Sequence, residues 1–351
     1  DYGRKGFGMN LRKLLKPRTI AIVGASEKAG FGGDTTRNYL KFSRNLDKLY
    51  LVNPGRDTIF GHRAYHSLSE IEGDVDLVIL CTPQKTIIPL LEEAAGKNCG
   101  GAVVFASGYS EVGPEGKERQ KELVEVADRL GIAVMGPNCA GFANFVDGIF
   151  AFAFLVEERE RRGNIGMISQ SGQIVLGGLD SPNMGFSHVI SSGNSCNVKV
   201  EDYLDFLVDD EDTKVVAAYM EGVTRPDKLV ATFQKAALKR KPVVVLKTGR
   251  SSKSQELAAS HTGSLSGADK VLRAVFKRYG VVEASDLEEL MSLAAAFSWL
   301  RELPKGERCV FMNVSGGEAG VMADLAEEYG ITLAEMGQET KDYLRTLVPD
   351  Y

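Results

Sequence analysis

The amino-acid sequence predicts an α/β chain of two doubly wound parallel sheets, with a third α/β unit begun near its end. Three observations carry that expectation. Short, continuous apolar runs recur along the chain, amphipathic stretches separate them, and most runs end in Gly, Ser, Asn or Pro. Continuous apolar strands alternating with helices indicate parallel sheets covered on both faces. At 351 residues the chain exceeds a single ordinary domain of ~100 to 200 residues. A composition 44% hydrophobic and 25% charged is that of a folded chain, not a disordered one.

The first run, RTIAIVG (18–24), ends in Gly24-Ala25-Ser26 and is followed by a glycine-rich loop and a helical stretch from about Asp34. The alternation continues through KLYLVNP (48–54), VDLVILCTP (75–83), GAVVFASG (101–108) and IAVMGPN (132–138). Between them lie helix-like segments such as IIPLLEEAAGK and GKERQKELVEVADRL. Residues 1–147 are therefore expected to form a Rossmann-like domain. The charged stretch EERERRG (157–163) marks a linker, after which a second series opens with NIGMISQSG (164–172). It proceeds through SHVISSGN, TKVVAAYMEG, PVVVLKTGR and a final strand and helix, so residues 163–302 are expected to be flavodoxin-like. After LPKGE, the strand RCVFMNVSG and the helix VMADLAEEYGI begin a third, flavodoxin-like domain over 306–351, whose pattern stops before its sheet could close. That, and the missing initiator Met, suggests a piece of a longer chain.

Lys and Arg total 42 against 47 acidic residues, a net charge of −5, so there is no global positive field to attract nucleic acid. The five cysteines form no CxxC pair and have no histidine at ligand spacing, which argues against a disulfide framework and a zinc site and predicts a reducing cytoplasm. No apolar run reaches the ~20 residues of a membrane span, and the polar start has no signal-peptide core.

Chemistry concentrates where strands end. In Ser260-His261-Thr262-Gly263-Ser264, one of four histidines sits among hydroxyls and glycines. Imidazole is nucleophilic near neutral pH, and such neighbours can hold phosphate oxygens, so His261 is a candidate phosphoryl acceptor; an exposed histidine in a loop is the plainer alternative. Ser169-Gln170-Ser171-Gly172 and Ser315-Gly316-Gly317 each deliver a helix start from a strand end. Unpaired N–H groups and the helix dipole make an anion site there, although ordinary capping uses the same residues. Glu221, just after VVAAYM, is placed to orient His261, as a carboxylate on one imidazole N–H fixes the tautomer. GASEKAGFGG departs from GxGxxG, and Asn53-Pro54-Gly55 lacks the acidic residue that grips an NAD ribose, which disfavours a dehydrogenase.

The ordered segments GASEKAG, NPG, TPQKTIIPLLEEAA, SGYSEVG, GPNCAG, ISQSGQIV, SSGN, MEGV and KTGRSSKSQELAASHTGSLSG closely resemble the NDP-forming acyl-CoA synthetases. This is the ADP-forming acetate–CoA ligase group, related to the succinyl-CoA synthetase alpha subunit, and the likeness spans essentially the whole chain. The resemblance implies that Gly24, Ala25, Ser26, Asn53, Pro54, Thr82, Pro83, Ser107, Gly108 and Glu111 line a coenzyme A site, with Asn138 and Cys139 facing the thiol end. It implies a phosphorylated His261 oriented by Glu221, and phosphate held by Ser169, Gln170, Ser171 and Gly172 and by Ser315, Gly316 and Gly317. The implied reaction interconverts acyl-CoA, phosphate and NDP with free carboxylic acid, CoA and NTP, through an acyl phosphate and a phosphohistidine. No ATP-grasp domain, which binds ATP or ADP and Mg²⁺ in the family, is visible in the sequence, so a fused or separate ATP-grasp partner is expected. The competing expectation is a silent CoA-sensing region of the kind fused to protein acetyltransferases, which the paired His261 and Glu221 disfavour.

Overall fold

A computed structural model describes residues 11–43, 48–156, 162–181, 184–249, 269–300, 302 and 304–348. The chain divides into two compact units, Asp1–Trp299 and Leu300–Tyr351.

The first unit opens with a short helix α1 (Arg12–Leu15), strand β1 (Thr19–Val23), helix α2 (Phe31–Phe42) and β2 (Lys48–Val52). A hairpin of β3 (Thr58–Ile59) and β4 (His62–Tyr65) is followed by β5 (Leu77–Leu80), α3 (Ile87–Ala95), β6 (Gly101–Val104), α4 (Pro114–Leu130) and β7 (Ala133–Met135). They assemble in the order β3-β4-β2-β1-β5-β6-β7, parallel except at the hairpin. Strands β5, β6 and β7 are wholly buried, as their uninterrupted apolar sequence requires of strands covered on both faces. The strand order reverses between β1 and β5, the switch point at which such sheets open a crevice at their carboxyl ends.

The second sheet takes in β8 (Gly141–Asn144), β9 (Ile149–Phe152), β10 (Arg162–Ser169), helix α5 (Gly172–Asp180), β11 (Phe186–Ser191), α6 (Val200–Asp209), β12 (Val215–Met220), α7 (Pro226–Leu238), β13 (Val243–Lys247) and β14 (Val282–Ala284), in the order β14-β13-β12-β10-β11-β8-β9. Five strands are parallel, with the switch point at β10, between β11 and β12. Helices Asp269–Tyr279 and Leu287–Trp299 complete the unit.

The sheet boundary lies earlier than the expected 1–147 domain would put it. Strand β8 pairs antiparallel with β11, and β9 with β8, so residues 141–152 extend the second sheet. All of β8 and β9 is buried, and the apolar Phe142, Ala143, Phe150 and Phe152 leave these strands no solvent face. Of the expected linker, Arg162 and Gly163 begin β10, and 157–161 lie outside the described residues. One apolar cluster runs from Ile20 and Ile22 through Phe142 and Ile168 to Val216 and Phe233, joining both sheets in a single core. Each such side chain contributes roughly 1.5–3 kcal/mol of burial.

The second unit pairs Arg308–Cys309 with Thr332–Leu333 in parallel and carries helices Gly316–Glu328 and Gln338–Leu347. Its first strand is shorter than the sequence suggests, and within the run expected as strand Val310, Phe311, Met312 and Val314 are exposed.

Candidate functional site

The carboxyl edge of the first sheet is drawn together by backbone contacts. Gly24 and Ala25 donate N–H bonds to the Val52 carbonyl, and Asn53 Nδ2 donates to the Ala25 carbonyl at 2.8 Å. Gly24 has φ +85°, and a Cβ there would lie 2.7 Å from the Cys81 carbonyl oxygen, so only glycine lets β1 and β5 approach this closely. The hydroxyls of Thr82 and Thr86 bond at 2.9 Å beyond β5. Pro54, Pro83 and Ser107 are exposed on this edge, and Ser26 caps its own loop through the Lys28 N–H.

Glu111 is bonded within the fold. Its carboxylate accepts from the Gly108 and Tyr109 N–H groups and from Asn194 Nδ2. Burial pushes its pKa up, but these bonds outweigh burial and hold it below the usual carboxylate range. Gln120 also accepts from Asn194, and Asn138 Nδ2 donates to Asn194 Oδ1 at 3.3 Å. Glu111 thus positions Asn194, which touches the Asn138 loop. Gly193 makes the approach possible: its φ is +55°, and a Cβ would stand 2.4 Å from the Pro137 carbonyl oxygen.

At the second switch point, α5 begins at Gly172 with Ser171 as its cap residue and no side-chain capping bond. Ser169 is buried, and its hydroxyl bonds to the Ser171 backbone at 2.7 and 3.0 Å. Gln170 Oε1 accepts the N–H groups of Glu221 and Gly222 at 2.6 and 3.1 Å, pinning the end of β12 to the end of β10. The Tyr219 hydroxyl reaches Glu221 Oε1 at 3.5 Å, and Lys247, buried at the end of β13, donates to the Glu221 carbonyl at 2.8 Å.

These parts meet in one cavity of about 320 Å³. Asn138, Cys139, Gln170, Ser171, Gly172 and Glu221 line it, together with Phe31, Phe105, Phe154 and Leu176. Cys139 is buried, and burial pushes its thiol up to about 12, so it is no nucleophile at neutral pH. Of the expected residues, the cavity unites the thiol-end pair with Gln170–Gly172 and Glu221. Gly24, Ala25, Asn53 and Thr82 lie on the edge of the first sheet. Ser315, Gly316 and Gly317 belong to the other unit, where the Ser315 hydroxyl accepts the Glu318 N–H at 3.4 Å as a helix cap. His261 lies outside the described residues. The aromatic lining, Lys247 and the Asn194 anchor are additions to the expected site; Lys247 at the end of an apolar strand was the one signal in the sequence.

A first sheet matching the family described as CoA binding domain, over residues 18–144, followed by one matching the succinyl-CoA ligase like flavodoxin domain, over 162–297, places the chain in the CoA-ligase class. The chain belongs to the ADP-forming acetate–CoA ligase family. It is 36% identical over 340 residues to the acetate–CoA ligase [ADP-forming] II subunit alpha of Pyrococcus furiosus, covering 96% of this chain and 73% of that one. It is 34% identical to a prokaryotic trans-feruloyl-CoA synthase, over 99% of this chain and 50% of that protein. The chain spans about half the length of several curated relatives. Among solved structures, the dinucleotide-forming acetyl-coenzyme A synthetase 1 of Ca. Korarchaeum cryptofilum, in complex with phosphate and ADP, matches with a TM-score of 0.86 and 31% identity, over 97% of this chain and 74% of that one. Among the described residues, no helix is long and apolar enough to cross a membrane.

Proposed function

We propose that the chain is the CoA-binding and phosphohistidine-carrying region of a cytoplasmic, NDP-forming acid–CoA ligase, working with an ATP-grasp domain or subunit that binds nucleotide and Mg²⁺. The observation that carries this reading is the cavity joining Asn138 and Cys139, at the CoA side, to the α5 start and Glu221. CoA is assigned to the Gly24–Ser26, Asn53–Pro54, Thr82–Pro83 and Ser107–Gly108 edge, with its thioester entering past Asn138. Phosphate is assigned to the first turn of α5, which begins at Gly172 beside Ser169–Ser171, where the helix dipole favours an anion.

In that arrangement a phosphate oxygen attacks the thioester carbonyl. The C–S bond breaks, a C–O bond forms, and CoA leaves as the thiol with the proton that phosphate carried, giving acyl phosphate. His261 then takes the phosphoryl group by forming an N–P bond as the carboxylate leaves, with Glu221 holding its other ring nitrogen. Ser315 to Gly317 are assigned to a second phosphate position. Fixed N–H donors stabilise the charge on the transferring group without reorganising.

Intact mass spectrometry at alkaline pH, after incubation with acyl-CoA, phosphate and Mg²⁺, tests the reading, with and without an ATP-grasp partner. The expected result is one added phosphoryl group that is absent in His261→Ala. CoA binding without phosphorylation, even with the partner, would favour the sensing module instead.

A further inference from the structure

The cavity has two chemically distinct sides. Gln170, Ser171, Gly172 and Glu221 supply the polar side, and the other is built from Phe31, Phe105, Phe154 and Leu176. The rings of Phe31 and Phe105 lie 5.6 Å apart at 56°, and those of Phe31 and Phe154 lie 6.5 Å apart at 86°. Both spacings suit tilted or edge-to-face ring contacts. Phe105 is 3% exposed, a fixed base, whereas Phe31 and Phe154 are 45% and 41% exposed and turn ring surface toward the cavity they line.

The wall is held from behind. Asn38, fully buried on α2, donates through Nδ2 to the carbonyls of Phe152 and Phe154 at 3.3 and 2.7 Å and accepts the Val156 N–H at 3.0 Å. Thr35 donates to the Phe152 carbonyl at 3.0 Å. The helix that begins with Phe31 therefore also fixes the chain that carries Phe154.

We infer that Phe31, Phe105 and Phe154 form the acyl-group pocket and select a carboxylic acid bearing an aromatic ring or a comparably bulky apolar group over acetate. This rests on the ligase reading above, in which the acyl carbon must sit between the thiol end at Asn138 and the phosphate position at Gly172. With the reacting atoms on the polar side, the remainder of the acyl group points at the rings. A fourth ring, on the acyl group, wedged among these tilted rings gains area and edge-to-face contact that a methyl group does not reach.

The test compares phosphate-dependent thiol release from phenylacetyl-CoA and acetyl-CoA by the full-length protein, its Phe31→Ala and Phe154→Ala variants, and Phe31→Leu as a packing control. The wild type should prefer phenylacetyl-CoA in kcat/KM. Each alanine variant should lose about tenfold or more on phenylacetyl-CoA and clearly less on acetyl-CoA, so that the ratio of the two kcat/KM values falls. Phe31→Leu, which keeps an apolar side chain, should fall between and melt like the wild type. A wild-type preference for acetyl-CoA overturns the assignment. So does an equal loss on both thioesters in Phe31→Leu and the alanine variants, which would place the pantetheine arm of CoA against the rings. Thiol release from neither thioester, with no phosphoryl group on His261, removes the ligase reading and this pocket together.

Discussion

The two helix starts, at Gly172 and at Gly316, share a backbone and differ in almost everything else. Ser171 and Ser315 are both extended cap residues, at φ −101° and −123° with ψ 126° in each. The Ser315 hydroxyl accepts the Glu318 N–H, and Glu318 puts a carboxylate in the first turn of that helix. The Gly172 helix has neither a side-chain cap bond nor an acidic residue in its first turn, and it starts in a cavity beside Glu221. Similar loops thus open helices whose first turns differ in capping and in charge.

The sharpest way to break this contrast is to give the first helix what the second one has. Gln173→Glu places a carboxylate in the first turn of α5, and we expect phosphate-dependent thiol release to fall by about 10²–10³-fold as like charges meet. The melting temperature should hold or rise slightly, and unchanged kinetics would take phosphate away from this helix.

A second contrast separates the units by acid. His188, buried in β11, has its pKa lowered to about 4 by desolvation, although Asp210 at 3.6 Å pulls it upward. Asp210 is raised by burial yet held low overall by Lys16, His188 and Thr213. The folded histidine is neutral where the unfolded one, with an ordinary pKa of 6.5, takes a proton. Stability from this group is therefore complete above pH 6.5 and declines as pH falls toward 4. Loss of about 2 kcal/mol between pH 7 and 5 is expected in the first unit. Calorimetry of His188→Gln should show a flatter profile over that window. Residues 300–351 contain no histidine and should melt without that dependence. The smallest effect is expected from Ser315→Ala, about 1 kcal/mol lost from the second unit with thiol release unaltered.

The parallel strands were legible because each is an unbroken apolar run ending in a turn residue, and so were the switch-point loops, which carry their polar residues next to one another in sequence. Strands β8 and β9 were not assigned: their partner, β11, lies far along the chain, and their apolar residues show no alternation to declare a face. Nor was the aromatic wall legible. Phe31, Phe105 and Phe154 come from three separate segments, and nothing in their local sequence distinguishes a ring in a pocket from one in a core. Glu111 shows the reverse case, a residue marked by its motif whose carboxylate the fold spends on holding Asn194 in place.

Asn38 bears on how such a chain could diverge. Its carboxamide bonds only main-chain atoms of Phe152, Phe154 and Val156, so the backbone under the rings keeps its course whatever side chains it carries. A lineage turning to a different acid could exchange residues 31 and 154 in few mutational steps while Asn38 stayed fixed, separating inheritance of the scaffold from inheritance of substrate choice.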